Sequence, residues 1–125
     1  MKVLKVVPGQ YAEVVEIDGS LRSMQEMVGG YIQAIYPFDD SEITLVCNDE
    51  GKLLGLPMNR ALRLQDSDEV FDIVHGTFFL CRSAIELETF VDLTPEQMDF
   101  CMKYFYVPEA FVDMDGALMI VKINH

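Results

Sequence analysis

Apolar positions recur at Met98, Cys101, Met102 and Phe105, the i, i+3, i+4, i+7 stripe of an amphipathic helix. Thr94 stands where an N-cap belongs, Pro95 at the first helical position and Gln97 where it closes a capping box. Together these signals predict a helix that starts at Pro95. Asp99 and Lys103 form an i, i+4 pair on the solvent side, and Pro108 ends the element. A shorter helix of about two turns is predicted from Leu21, Met24, Met27 and Val28, with Asp18-Gly19-Ser20 before it as cap and Gly29-Gly30 after it as stop. Its stripe reads as core-facing, because Met fills irregular interior space.

The remaining pattern is extended. Val3 to Val7 and Tyr11 to Ile17, rich in Val and Ile and separated by Pro8-Gly9-Gln10, predict a hairpin. Tyr31 to Tyr36 alternates and is broken by Pro37-Phe38-Asp39-Asp40; Ile43, Leu45 and Cys47 then continue with period two up to the turn Asn48-Asp49-Glu50-Gly51. That turn should send the chain back through Lys52 to Leu54, and Pro57 excludes a central strand beyond it. Asn59 to Gln65 is expected to make one irregular helical turn presenting Arg60 and Arg63 on one side. Val70 to Val74, then Thr77 to Arg82 after Gly76, reads as extended, with Phe78, Phe79, Leu80 and Cys81 apolar on both faces. This is the best candidate for a central strand. Ala117 to Ile123 supplies a last strand after Asp115-Gly116. The resulting order, ββαββ, a loop, then βαβ, predicts an α+β fold with a mixed, mainly antiparallel sheet, lacking the regular alternation of a doubly wound one.

Length and composition bound this picture. The 125 residues, half of them apolar, suit a single domain spanning 1–125 with a substantial core. No apolar run approaches the roughly 20 residues needed to span a bilayer, and Met1 to Val7 is too short and too interrupted by Lys5 for a signal segment. A cytoplasmic location is expected. Cys47, Cys81 and Cys101 are far apart among apolar neighbours, which reads as reduced and buried. With only His75 and His125 as imidazoles and no ligand spacing, no metal or other cofactor is expected.

The net charge of −12 is unevenly spread: residues 1–65 carry −3 and 66–125 carry −9. Such a field disfavours direct nucleic-acid and anionic-membrane binding and favours a basic protein surface. Against it, Lys52, Arg60 and Arg63 stand out, three of nine cations inside Cys47 to Arg63, among Asn48, Asn59, Gly51 and Gly55. Arg60 is suited to bidentate bonds with phosphate or carboxylate, Asn48 and Asn59 to an amide or base edge, and Tyr31 and Tyr36 to stacking on a ring. That set describes a pocket for an anionic nucleotide. The competing reading has Arg60 and Arg63 pairing with Asp66, Asp68 and Glu69 to pin the loop. An enzyme would have to use His75 beside Asp72 with Ser67 or Thr77, a set in no known catalytic spacing.

Four blocks carry a resemblance: VGGYIQAIYPF from Val28 to Phe38, VCNDEGKLLGLPMNRALR from Val46 to Arg63, GTFFL from Gly76 to Leu80, and YFYVPEAF with its late glycine from Tyr104 to Gly116. Their order and content closely resemble a bacterial and phage family described as a domain of unknown function, from whose core this chain departs mainly at Asp49, where Glu is common. The resemblance implies an accessory protein of phages, plasmids and integrative elements in Gram-positive bacteria, with similar domains inside large fusion proteins linked to countering host restriction. It brings no catalytic residues. The motif positions it marks are Gly29, Gly30, Tyr31, Gln33, Asn48, Gly51, Lys52, Gly55, Pro57, Asn59, Arg60, Gly76 and Thr77. Backbone geometry is reason enough for the glycines and Pro57, whereas Asn59, Arg60, Tyr31 and Gln33 have no such explanation. These four, with Asn48 and Arg63, are the candidate binding residues. The expected function is non-enzymatic: binding of a host protein through the acidic second half, with nucleotide sequestration and His75/Asp72 catalysis as the alternatives.

Overall fold

In the computed structural model, which describes residues 1–39, 41–83 and 89–123, the chain is α+β, with two helices and nine strands in antiparallel sheets. Asp40 and His125, both named above, lie outside the described residues. Five strands make the principal sheet: β1 (Lys2–Val6), β2 (Glu13–Glu16), β3 (Ile32–Ile35), β4 (Ile43–Asn48) and β7 (Phe78–Arg82), in the order β2-β1-β7-β4-β3. The expected central strand is central: β7 pairs with β1 through Leu4↔Leu80 and with β4 through Leu45↔Leu80. Apolarity on both of its faces has a direct cause. Phe78 and Leu80 join the core on one side of the sheet and Phe79 and Cys81 the core on the other, as the two-residue period of a strand requires.

Each face is closed by one helix. Helix α1 (Leu21–Val28) buries Met24 and Val28 against Val3, Val46 and Phe79. It starts where Ser20 Oγ accepts from Ser23 N–H and stops at Gly29, whose φ of 79° suits a residue without Cβ. Helix α2 (Pro95–Phe105) places Cys101 and Phe105 in the other core, beside Leu4, Leu45 and Phe78. Both hydrogen bonds of its capping box form, Thr94 with Gln97, and Lys103 and Asp99 pair at 2.9 Å on the outside.

The middle of the chain departs from the expected pattern. Asn59 to Gln65 contains no helical turn; Met58–Arg63 is strand β5, paired with β6 (Val70–His75) in a separate two-stranded sheet with register shifts after Met58 and Leu62. Pro57 sits just ahead of the strand, where its missing N–H costs no ladder bond. Val70 to Arg82 is also two strands in different sheets, because Gly76 turns the chain at φ +83° and brings Leu56 to 2.8 Å from where a Cβ would stand. Glu109–Met114 forms a strand, β8, unforeseen in the sequence reading, which pairs with β9 (Ala117–Lys122) across the Asp115-Gly116 turn. The second strand of the opening hairpin is shorter than expected, Glu13–Glu16.

Candidate functional site

Asn59 and Arg60 lie at the start of β5, and the structure turns both inward: Asn59 is 0% and Arg60 1% exposed. Asn59 Nδ2 donates to the carbonyls of Val6 at 2.9 Å and Gly76 at 2.8 Å. Arg60 spreads its fork further. Nε donates to Phe105 O at 3.0 Å, Nη2 to Gln10 O at 2.6 Å, and Nη1 to Asn59 Oδ1 at 2.9 Å and Asn59 O at 3.2 Å. Two side chains thus join the end of β1, the turn after it, the turn between β6 and β7, and the last turn of α2. The Phe105 carbonyl belongs to the negative end of a helix, where a cation is favoured. Burial lowers the Arg60 pKa to about 10, with nearby Glu109 acting in the opposite direction, so the guanidinium remains charged at neutral pH.

A second cluster closes the outer edge of β5. Glu109, 6% exposed, accepts from Ala61 N–H at 3.0 Å and holds Arg63 through an ion pair at 2.6 Å. Tyr104 Oη accepts from Arg63 N–H at 2.6 Å and donates to Arg63 O at 3.1 Å. Side chains of α2 and β8 therefore supply bonds that a third strand would otherwise make. Arg63 pairs with Glu109, not with Asp66, Asp68 or Glu69 as the loop-pinning reading expected, and the hydrogen bond to Glu109 raises its pKa. Nothing near Arg63 in the sequence signals a partner 46 positions away.

The remaining candidates are dispersed. Asn48 is buried and spans two turns, donating to Val28 O at 3.1 Å and accepting from Glu50 N–H at 2.8 Å; its amide would lie 2.9 Å from a Cβ at Gly30, which accounts for that glycine. Tyr31 is 74% exposed, so it shares no pocket wall with the fully buried Asn59 and Arg60. The assembled set for an anionic nucleotide is not brought together: its two strongest donors are already engaged by protein carbonyls.

Gln33 and Asn48 line a cleft of about 400 Å³ with Lys52, Asp72 and His75. Asp72 Oδ1 accepts from Lys52 Nζ at 2.5 Å and from Ile73 N–H at 2.8 Å. His75 Nδ1 lies 2.9 Å from Leu56 O; a carbonyl only accepts, so this nitrogen is the donor. The position where a carboxylate would orient the imidazole is taken by Leu56, and Asp72 is engaged elsewhere, so the pair lacks the arrangement of an acid–base dyad. Ser67 Oγ accepts from the Glu69 N–H in its own turn. Cys47, also in the cleft wall, is pushed up to about 11 by burial and then by Asp72 and Asp49, and burial carries Cys81 and Cys101 to about 12. All three are free, buried thiols, as expected, and protonated at neutral pH they are poor nucleophiles. Among the described residues no cluster of His, Cys, Asp and Glu has metal-binding geometry, and no helix is long and apolar enough to cross a membrane.

On the surface, a groove of about 430 Å³ runs between the turn after β3 and the turn joining β5 to β6, lined by Tyr36, Asp39, Leu64, Asp66 and Phe71 and by Arg63, whose charge is tied to Glu109. Tyr36, Leu64 and Phe71 are exposed aromatic or aliphatic groups, and Asp39 and Asp66 flank them. The charge around it is one-sided for a structural reason. Of nine cations, Arg22, Lys52, Arg63, Arg82 and Lys103 pair with carboxylates and Arg60 is buried. The other three, Lys2, Lys5 and Lys122, stand opposite Glu16, Glu13 and Glu109 in strand register. Every positive charge is engaged or faces an acid, so the surplus carboxylates set the outer field.

The model of the family described as a domain of unknown function, DUF3846, matches residues 1–106, and the chain belongs to that family. No curated protein and no solved structure matches it.

Proposed function

We propose, for this member of a family without an assigned activity, a non-enzymatic accessory role in a phage or other mobile element, exercised in the cytoplasm by binding a basic surface of a host protein. The observation that carries this reading is the fate of the cations: the fold engages or buries them and leaves carboxylates as the charge a partner meets. Such a surface speeds encounter with a basic partner and suppresses contact with anions. The groove between Tyr36 and Phe71 is the docking site, because aromatic groups ringed by charge are the composition of an interface centre. Lys or Arg of the partner meets Asp39 and Asp66, and its apolar stems cover Tyr36, Leu64 and Phe71. The acidic second half enters this site through Asp66, while Tyr36 and Asp39 come from the first half.

The test is cross-linking in the host, followed by titration of the purified captured protein against the chain and against Asp39→Lys/Asp66→Lys. The reading expects affinity that falls as salt rises and a loss of at least about tenfold in the charge-reversed variant, with its circular dichroism unchanged. A salt-insensitive complex, equal binding by the variant, or a nucleotide-sized adduct in native mass spectrometry that Arg60→Lys removes without unfolding would overturn it.

A further inference from the structure

The hairpin β8–β9 lies beyond residues 1–106 and carries an apolar face that nothing in the described chain covers. Cα partners across an antiparallel pair share a face, so Ala110/Val121, Val112/Met119 and Met114/Ala117 form one side and Glu109/Lys122, Phe111/Ile120 and Asp113/Leu118 the other. The charges all fall on the second side. On the first, Val112, Met114, Met119 and Val121 are 44–54% exposed. The hairpin is rooted where Glu109 binds β5 and Ile123 N–H meets Pro108 O, and burial fades along β8 toward the tip. A two-stranded ribbon of this kind is marginal in water unless something packs on it.

We infer that this face packs against the same face of a second copy of the chain across a twofold axis. The uncharged patch offers no partner charge to a basic host surface, whereas an apolar patch is complementary to itself, which an isologous contact requires. Its relief fits too. With the two hairpins stacked antiparallel, Met114 of one copy lies over Ala110 of the other and Val121 over Ala117, bulk against gap, and the two Met119 side chains meet at the centre. The acidic tips, Asp113 and Asp115, then point to opposite ends and are kept apart. This contact is independent of the host-binding groove and has the opposite salt response: with −12 on each copy, screening strengthens self-association and weakens binding to a basic partner.

Sedimentation velocity of the full chain over a concentration series decides the matter. A reversible shift toward twice the 14.2 kDa of the chain, tighter at higher salt, is expected. Met119→Glu buries a charge at the axis and should raise the dissociation constant at least about tenfold. Because Met119 is half exposed, thermal unfolding of the variant at monomeric concentration should match the parent. Met119→Cys should cross-link to a dimer under mild oxidation, and Leu118→Cys, on the opposite side, should not. A monomer up to roughly a hundred micromolar in high salt, a dimer indifferent to Met119→Glu, or equal cross-linking from both cysteines would overturn the inference.

Discussion

The start of β5 and the β8–β9 hairpin invert the usual rule of burial in opposite senses. At Asn59 and Arg60 the chain hides highly polar groups, and the donors described above each end on a protein acceptor. Along Val112, Met114, Met119 and Val121 it exposes large apolar groups that no described residue covers. The first arrangement is stable because a buried donor with a partner costs little, while a donor or acceptor left alone costs the full desolvation. The second has the composition that interaction surfaces carry. The contrast teaches that a basic motif standing out by charge is architecture in this protein, while the surfaces proposed for binding are made of residues that look ordinary in sequence.

Breaking the buried side of the comparison should have the largest effect. Arg60→Ala orphans the carbonyls of Gln10 and Phe105 and removes one of the two cations near Glu109, leaving Arg63 as the other; a loss of about 3–5 kcal/mol is expected in urea denaturation. Asn59→Ala, which frees the carbonyls of Val6 and Gly76, should cost about 2–3 kcal/mol by the same measurement. Glu109→Gln keeps the acceptor for Ala61 N–H but removes the charge facing Arg63, and a loss of about 2 kcal/mol is expected. Smaller still, Thr94→Ala removes one hydrogen bond of the α2 capping box and should cost about 1 kcal/mol.

The thiols sharpen the same contrast through pH. Cys47, Cys81 and Cys101 have folded pKa values near 11 and 12, raised above the ordinary 9.0 by burial. Their folded forms hold protons that the unfolded chain gives up, so their contribution to stability is complete below pH 9 and is lost as pH rises toward 11 and 12. Arg60, lowered to about 10, acts with the opposite sign between pH 10 and its unfolded value, but it is one group against three. Thermal unfolding temperature should therefore fall from pH 9 to pH 11, and thiol reagents should label the chain only as it unfolds.

Much of this was legible in the sequence. Helix α2 was readable because Thr94, Pro95 and Gln97 act within one turn, and β7 because four consecutive apolar residues need two covered faces. Strand β5 was not, since Asn59, Arg60 and Arg63 look like solvent-facing groups until their partners at Val6, Phe105 and Glu109 are brought near, and separations of 45 to 53 positions leave no local trace. Strand β8 did carry a signal, the alternation of Ala110, Val112 and Met114, hidden behind the Pro108 stop of α2. Of the six candidate binding residues, Asn59, Arg60, Asn48 and Arg63 prove to have structural partners, and only Tyr31 and Gln33 are exposed.

Urea denaturation of Arg60→Ala against the parent chain, with identical buffers and a matched slope, tests the central claim most directly. If Arg60 is a buried tie between strand, turn and helix, the midpoint falls by the equivalent of about 3–5 kcal/mol. A midpoint within about 0.5 kcal/mol of the parent would mean that the guanidinium is free in solution, and the architectural account of the basic motif would be contradicted.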